Sequence, residues 1–223
     1  MRKLIVGAMV SLDGVMQAPG GPTEDPTQGF KFGGWVMPHF SAEAGEEIDR
    51  LFSGKFDLLL GRKTYEIFAA YWPYYDESAP DGGIAKLFKD IRKYVVSRSG
   101  DVDTGWQGSV LLRDIADVQR LRAEDGPNLV TQGSTRLVQA LFAHDLVDAL
   151  SLFTVPVVLG SGKKLFADGS APHTYELTSS RVAPGGVIIS HYERRGGIAV
   201  ADTAMAEPSE REKARQARMA REG

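Results

Sequence analysis

The sequence predicts a single α/β domain: a mostly parallel central sheet with helices on both faces and an antiparallel C-terminal strand. Three observations carry this expectation. Short β-rich runs alternate along the chain with stretches whose apolar residues recur at helical spacing, and strands separated by helices imply parallel pairing with covered faces. Runs such as Leu58–Leu60 are apolar without alternation, the pattern of a strand buried on both sides. The last two strand candidates lie too close together for a helical crossover and are expected to pair antiparallel.

Taken in order, Leu4–Val10 (LIVGAMV) reads as the first strand, closed by the turn signal Asp13-Gly14 in SLDG. The Gly/Pro-rich segment Gln17–Trp35 follows; it is longer than an ordinary connection, which marks it as functional or mobile. Ser41 is placed to cap a helix whose Ile48, Leu51 and Phe52 fall at i, i+3, i+4. The strand Leu58–Leu60 breaks at Gly61, and a helix is expected from Thr64. Lys93–Ser97, Ser109–Arg113 and Asn128–Gln132 read as strands, with a helix over Ile115–Arg122. GSTRLVQALFAHDLVD contains a helix with Leu137, Val138, Leu141 and Phe142 along one stripe. ALSLFTVPVVLG reads as one long apolar strand and GVIISHYERR as the last. No internal repeat and no linker interrupts residues 1–195. From Gly196 the composition turns to Glu, Arg and Ala, so 196–223 is expected to be a charged tail, either a solvated helix or disordered.

Composition narrows the function classes. A formal net charge of −3 argues against a nucleic-acid binder working by bulk electrostatics. The absence of cysteine excludes disulfides, thiolate nucleophiles and Cys-based metal sites. His39, His144, His173 and His191 are scattered without metal-ligand spacing, so no metal is expected. The apolar run after the basic N-terminus is one strand long and meets Asp13, too short for a signal-peptide core. No stretch approaches the roughly 20 apolar residues of a membrane helix. A cytoplasmic protein is the expectation. GSGKK is not a phosphate-binding P-loop, because Val157 stands where Gly is required and Lys164 where Ser or Thr should hold magnesium.

Three strand ends share one chemistry. Gly61-Arg62-Lys63-Thr64 follows the strand at Leu58–Leu60, Ser97-Arg98-Ser99 follows Tyr94–Val96, and Gln132-Gly133-Ser134-Thr135 follows Leu129–Thr131. In open α/β sheets ligands bind at the carboxyl ends of the strands, so all three face one rim. They offer hydroxyls, backbone N–H groups and guanidinium forks suited to phosphate. Gly133 permits close backbone approach, and the helix opening at Ser134-Thr135 presents an anion-favouring N-terminus. The set predicts an extended anionic ligand such as a dinucleotide.

The order and content of SLDG, LLGRKTYE, YVVSRS, VTQGSTRLVQALFAHDLVDAL and FTVPVVLGSGKKLF resemble the dihydrofolate reductase-like superfamily. The likeness is to its bacterial branch related to the reductase domain of the riboflavin-biosynthesis deaminase/reductase, and it runs from about Arg2 to Arg194. It implies an NADPH-dependent reductase and a homodimer. It assigns Thr64 to the pyrophosphate, Arg62, Ser97, Arg98 and Ser99 to the adenosine 2′-phosphate side, and Gly133, Ser134 and Thr135 to a pyrophosphate cradle beside Gly61. Gly160, Ser161, Gly162 and Lys163 would lie near a small, heterocyclic substrate of pterin, pyrimidine or riboflavin-precursor type. In the riboflavin branch that substrate is an aminopyrimidine ribosyl phosphate, reduced to the ribityl form. Two departures stand out: Gln132 replaces the first glycine of the later turn, and none of Glu43, Glu46, Glu47 or Asp49 falls clearly in register for a buried proton donor. Classical dihydrofolate reduction is therefore not expected. A deaminase domain is not expected in these residues, which carry no Cys for its zinc-binding motif.

Several residues keep two readings. Asp13 is either an Asp-Gly turn residue or a catalytic loop residue near nicotinamide and substrate. Trp35 could wall a flat substrate or belong to the core, as could Tyr71 and Trp72. The apolar strand LSLFTVPVVL is a candidate dimer interface or central core. A nucleotide sensor without turnover, reaching a partner through its tail, is the competing class; a flavin nucleotide is a third ligand possibility.

Overall fold

The structure, a computed structural model, describes residues 1–79, 82–201 and 207–222. Eight strands form one sheet: β1 (Leu4–Ser11), β2 (Phe56–Gly61), β3 (Lys93–Val96), β4 (Ser109–Leu112), β5 (Asn128–Gln132), β6 (Ala149–Val155), β7 (Thr174–Val182) and β8 (Ile188–Gly196). Their spatial order is β4-β3-β2-β5-β1-β6-β8-β7. The first six run parallel to one another, while β8 runs antiparallel to both β6 and β7. The expected architecture is thus the observed one.

Helices cover both faces. On one side α1 (Ala42–Leu51), α2 (Arg62–Tyr71) and α3 (Gly82–Asp90) bury Ile48, Tyr65 and Phe88 with Phe56, Leu58, Leu60 and Phe153. On the other, α4 (Ile115–Ala123) and α5 (Thr135–Ala143) bury Val118, Leu121, Leu137, Val138, Leu141 and Phe142 against Leu4, Val6, Leu59 and Leu129. Alternate residues of each strand feed alternate cores, which is why β2 reads as an uninterrupted apolar run. Ser41 caps α1 as its position predicts, accepting the Ala44 N–H at 3.3 Å. Glycine 7 leaves room for α1 to approach: a methyl there would lie 2.6 Å from Leu51 Cδ2. At the rim opposite the candidate site, buried Arg2 pairs with Asp57, whose other oxygen accepts the Arg92 N–H at 3.2 Å.

Four expectations need correction. ALSLFTVPVVLG is not one strand: β6 ends at Val155, because Pro156 has no N–H to continue the ladder, and Val158 is exposed. That strand is not a dimer surface either, since β1 and β8 pair with its two edges and Leu150, Phe153 and Val155 are buried. The helix read from Thr64 already begins at Arg62. Two elements went unread, α3 and β7. β7 is an edge strand of mostly exposed residues, so burial leaves no alternation in its sequence. Beyond the sheet, α6 (Glu210–Glu222) is exposed along its length and laced by pairs such as Lys213–Glu210 and Arg215–Glu212. Among the described residues no helix is long and apolar enough to cross a membrane.

Candidate functional site

Because β2, β3, β4 and β5 are parallel, their carboxyl ends share one rim. The β2–α2 and β5–α5 junctions meet there. Gly61 N–H donates to Ser134 Oγ at 2.8 Å, and a methyl on Gly133 would lie 3.8 Å from Thr64 Cγ2. Gly133 has φ +93°, and Ser134 is itself left-handed at φ 60°, ψ 63°. That bend turns the chain sharply from β5 into α5. No side chain caps α2 or α5, so the first-turn N–H groups of both helices converge on the space beside Thr64, Gly133 and Thr135. Two helix N-termini side by side make an anion cradle. After Gln132, the departure from the glycine pair, the Gly133 N–H donates to Gly7 O at 3.4 Å, so that donor is taken up within the protein.

Cations flank the cradle. Arg62 pairs with Glu66 at 2.8 Å in solvent, an arrangement of little energy that a phosphate can replace. Arg98 is exposed and has no ion pair among the described residues. Ser97 and Ser99 hydroxyls lie 3.3 Å apart, and Ser99 Oγ accepts the Asp101 N–H at 3.2 Å. Sequence reasoning missed Arg113, which leaves β4 as Arg98 leaves β3. Its guanidinium lies against Gly100, whose φ is +70° and where any side chain would collide with it. The legible signal was a cation immediately after an apolar strand, the same pattern that singled out Arg98.

A second cluster gathers at the ends of β1 and β6. Asp13 accepts the Ser11 hydroxyl at 2.6 Å, the Leu159 N–H at 3.1 Å and the Gly160 N–H at 2.8 Å. The Ser11 hydrogen bond, followed by that of Leu159, lowers its pKa to about 2. Asp13 is therefore a fixed anion tying two turns together, the wrong state for a proton donor at neutral pH. Lys163 is similarly engaged: its ammonium contacts Asp25 and reaches Thr27 Oγ1 at 2.9 Å, while its N–H donates to Gln17 Oε1 at 3.0 Å. Gly162 packs under Val15 and Phe30, where a methyl would lie 2.6 and 2.9 Å away. Ser161 is exposed. Trp35 is buried, with Nε1 donating to Gln17 O at 2.8 Å, so its faces belong to the core. The structure thus brings Asp13, Trp35 and Gly160–Lys163 together at the anchor of the long loop. Of the four α1 carboxylates, Glu47 is the buried one, held by Arg50 at 2.8 Å, Arg181 at 3.1 Å and His191 at 3.0 Å.

Fold and rim together define a reductase-like α/β protein of the dihydrofolate reductase type. The chain belongs to the RibD C-terminal domain family, whose model matches residues 2–189. It is 26% identical over 202 residues to the uncharacterized protein YyaP of Bacillus subtilis (strain 168), covering 87% of this chain and 96% of that one. The uncharacterized protein YwjB of the same organism is 26% identical over 169 residues, 74% and 83% of the two chains. Among solved structures, a protein assigned to riboflavin biosynthesis from Shewanella sp. PV-4 superposes with TM-score 0.57 at 18% identity, covering 86% of this chain and 99% of that one. A pyrimidine reductase-like protein of Corynebacterium diphtheriae gives 0.55 at 14% identity, with 87% and 92% covered. Dihydrofolate reductase from Enterococcus faecalis, complexed with NADP(H) and RAB-propyl, gives 0.52 at 14%, with 86% and 96% covered. These structural likenesses establish the fold.

Proposed function

We propose that the protein is an NADPH-dependent reductase that transfers a hydride to a small heterocyclic substrate of pterin, pyrimidine or riboflavin-precursor type. The observation that carries this is the side-by-side placement of the α2 and α5 starts, where the Gly61 N–H meets Ser134 Oγ and Gly133 faces Thr64, with Arg62, Arg98 and Arg113 following the parallel strands β2, β3 and β4. The donor set fits the cofactor: backbone N–H groups of Ser134 and Thr135 and the Thr64 hydroxyl for a pyrophosphate, with Gly133 allowing close approach, and Ser97, Ser99, Arg98 and Arg113 for a 2′-phosphate. The nicotinamide supplies the hydride when bound, and the protein aligns donor with acceptor and excludes water. Asp13 keeps its two turns in place as an anion and does not itself donate a proton. A homodimer belongs to the same reading; with β6 enclosed, the free edge of β7 and its exposed Leu177 and Val182 are the surface available for it.

Fluorescence titration with NADPH and with NADH tests the cofactor, and substrate-dependent NADPH oxidation tests turnover. Selective NADPH binding is expected. If neither dinucleotide binds, the reductase reading is wrong although the fold stands.

A further inference from the structure

The loop 17–35 leaves the turn after β1, the strand next to β5 in the sheet, so it stands on the rim where open α/β sheets bind ligands. Its length and Gly/Pro content mark it as functional or mobile, yet its interior is built like core. Ala18, Phe30, Trp35 and the adjoining Val36 are buried and share one hydrophobic cluster with Ile48, Leu58 and Phe153. The 33–34 turn lies directly on 21–22. A methyl on Gly33 would meet Gly21 O at 2.5 Å, and Gly34, at φ +83°, donates its N–H to Ala18 O at 2.9 Å. Glu24 closes the tip, its Oε2 accepting the Gly20 and Gly21 N–H groups at 2.7 and 3.2 Å.

One side chain ties these pieces together, and the proposed cofactor site does not use it. Gln17 is 3% exposed. Its Nε2 donates to Asp25 O at 2.9 Å and to Thr27 O at 3.0 Å, its Oε1 accepts the Lys163 N–H at 3.0 Å, and its carbonyl accepts the Trp35 Nε1 hydrogen at 2.8 Å. The amide thus uses both of its N–H groups on the outer arm of the loop and its oxygen on the 159–165 turn. Asp25 and Thr27 meet the same turn again through the Lys163 ammonium. Swinging the loop off the rim would unpair these groups and expose Phe30 and Trp35 together. Mobile lids are drawn from the opposite kind of segment, with few buried apolar contacts.

What the loop leaves outside is Phe32. Of its three aromatic rings, Phe30 and Trp35 are each 8% exposed and Phe32 is 50% exposed. Phe32 meets Phe30 at 79° with ring centres 5.8 Å apart, Phe30 packs beside Gly162, and the Trp35 N–H holds the Phe32 carbonyl at 3.1 Å. We propose that loop 17–35 is a preformed wall on the substrate side of the rim, with Gln17 as its positioning residue and Phe32 as the ring that meets a flat heteroaromatic substrate. Phe32 takes the part expected of Trp35. A ring held in place beforehand meets a flat partner with little ordering cost at binding. The wall's substrate role rests on the reductase reading.

The test uses the full chain as wild type, Gln17→Met and Phe32→Ala. Each is followed by amide exchange, by NADPH titration, and by fluorescence titration with the pteridine lumazine in the presence of NADP⁺. In wild type the amides of Gly34, Trp35 and Lys163 should be protected before any ligand is added, and NADPH should change their exchange by less than about twofold. Gln17→Met should speed exchange at these amides by about tenfold or more while β1 and β5 stay protected. It should also bind lumazine about three- to tenfold more weakly, with NADPH affinity unchanged. Phe32→Ala should lose lumazine affinity by a similar factor and keep both loop protection and NADPH affinity, a split that a merely structural loop does not give. If Gln17→Met fails to fold, wild-type exchange and Phe32→Ala, at an exposed position, still decide. Fast exchange in the free protein that NADPH slows by about tenfold makes the loop a lid and overturns the proposal. Lumazine binding that is absent, or indifferent to Phe32→Ala, overturns it too, while NADPH binding leaves the parent reading intact. Absence of NADPH binding overturns the parent reading and with it the substrate role of the wall.

Discussion

Ser134 Oγ accepts the Gly61 N–H at 2.8 Å, so the two helix N-termini that form the anion cradle are fastened to each other by one hydrogen bond. Ser134 occupies the N-cap position of α5 yet makes no side-chain cap on its own helix; its hydroxyl serves the neighbouring junction instead. Replacing Ser134 by Ala leaves that N–H without its partner and should cost about 0.5–1.5 kcal/mol in urea unfolding. Cofactor affinity should weaken as well, because the spacing of the two helix ends is what the hydroxyl sets.

Arg98 and Arg113 follow the adjacent parallel strands β3 and β4, and the proposed cofactor reading gives both to the 2′-phosphate. Either one changed to Ala should lose a charge-assisted contact of roughly 1.5–3 kcal/mol, about 10- to 150-fold in NADPH affinity, while NADH binding barely moves. Parallel titrations with the two dinucleotides read this directly. An equal loss for both would place the arginines elsewhere than on the 2′-phosphate.

Gly100 sits at φ +70°, where a side chain is strained, and a methyl there would push aside the Arg113 guanidinium. Gly100→Ala should destabilise by about 1 kcal/mol and reduce NADPH selectivity by displacing Arg113. Combined with Arg113→Ala, the two losses should be less than additive. A double-mutant cycle on NADPH affinity checks it, with full additivity as the contrary result.

Asp13 makes acid stability informative. Its folded pKa, about 2, lies below the ordinary 3.8, so its stabilising contribution is complete above that ordinary value and disappears as pH falls through about 2. Asp13→Asn should lower stability near neutral pH by about 1–2 kcal/mol through weakened bonds to Ser11, Leu159 and Gly160, and should flatten the decline between pH 4 and 2. Denaturation midpoints across that range distinguish this anchor from a surface carboxylate. NADPH affinity should be nearly unaffected.

Lys163→Met removes the clamp between the 159–165 turn and the loop 17–35. Limited proteolysis should then cut the loop faster, with little change in NADPH binding. If the variant instead keeps a wild-type digestion pattern and loses only turnover, Lys163 serves substrate and not the loop.

How far the chain announces itself can be judged element by element. Apolar runs identified β1, β2, β3 and β5, and the stripe of Leu137, Val138, Leu141 and Phe142 identified α5, because burial of one face imposes periodicity locally. The three segments after β2, β3 and β5 stand out for the same local reason: a strand followed by Gly, cations and hydroxyls carries its chemistry in consecutive residues. β7 was not legible, since an exposed edge strand is held by its ladder with β8 and needs no apolar pattern. Nor were the partners of Asp13 and Lys163, which lie 146 and 138 residues away in sequence. The linear order of residues determined the sheet, its rim and the cations on it. Only the tertiary structure decided which of these groups are engaged within the protein. Folding gives Asp13, Trp35 and Lys163 partners distant in sequence, while Arg98 and Arg113 are exposed.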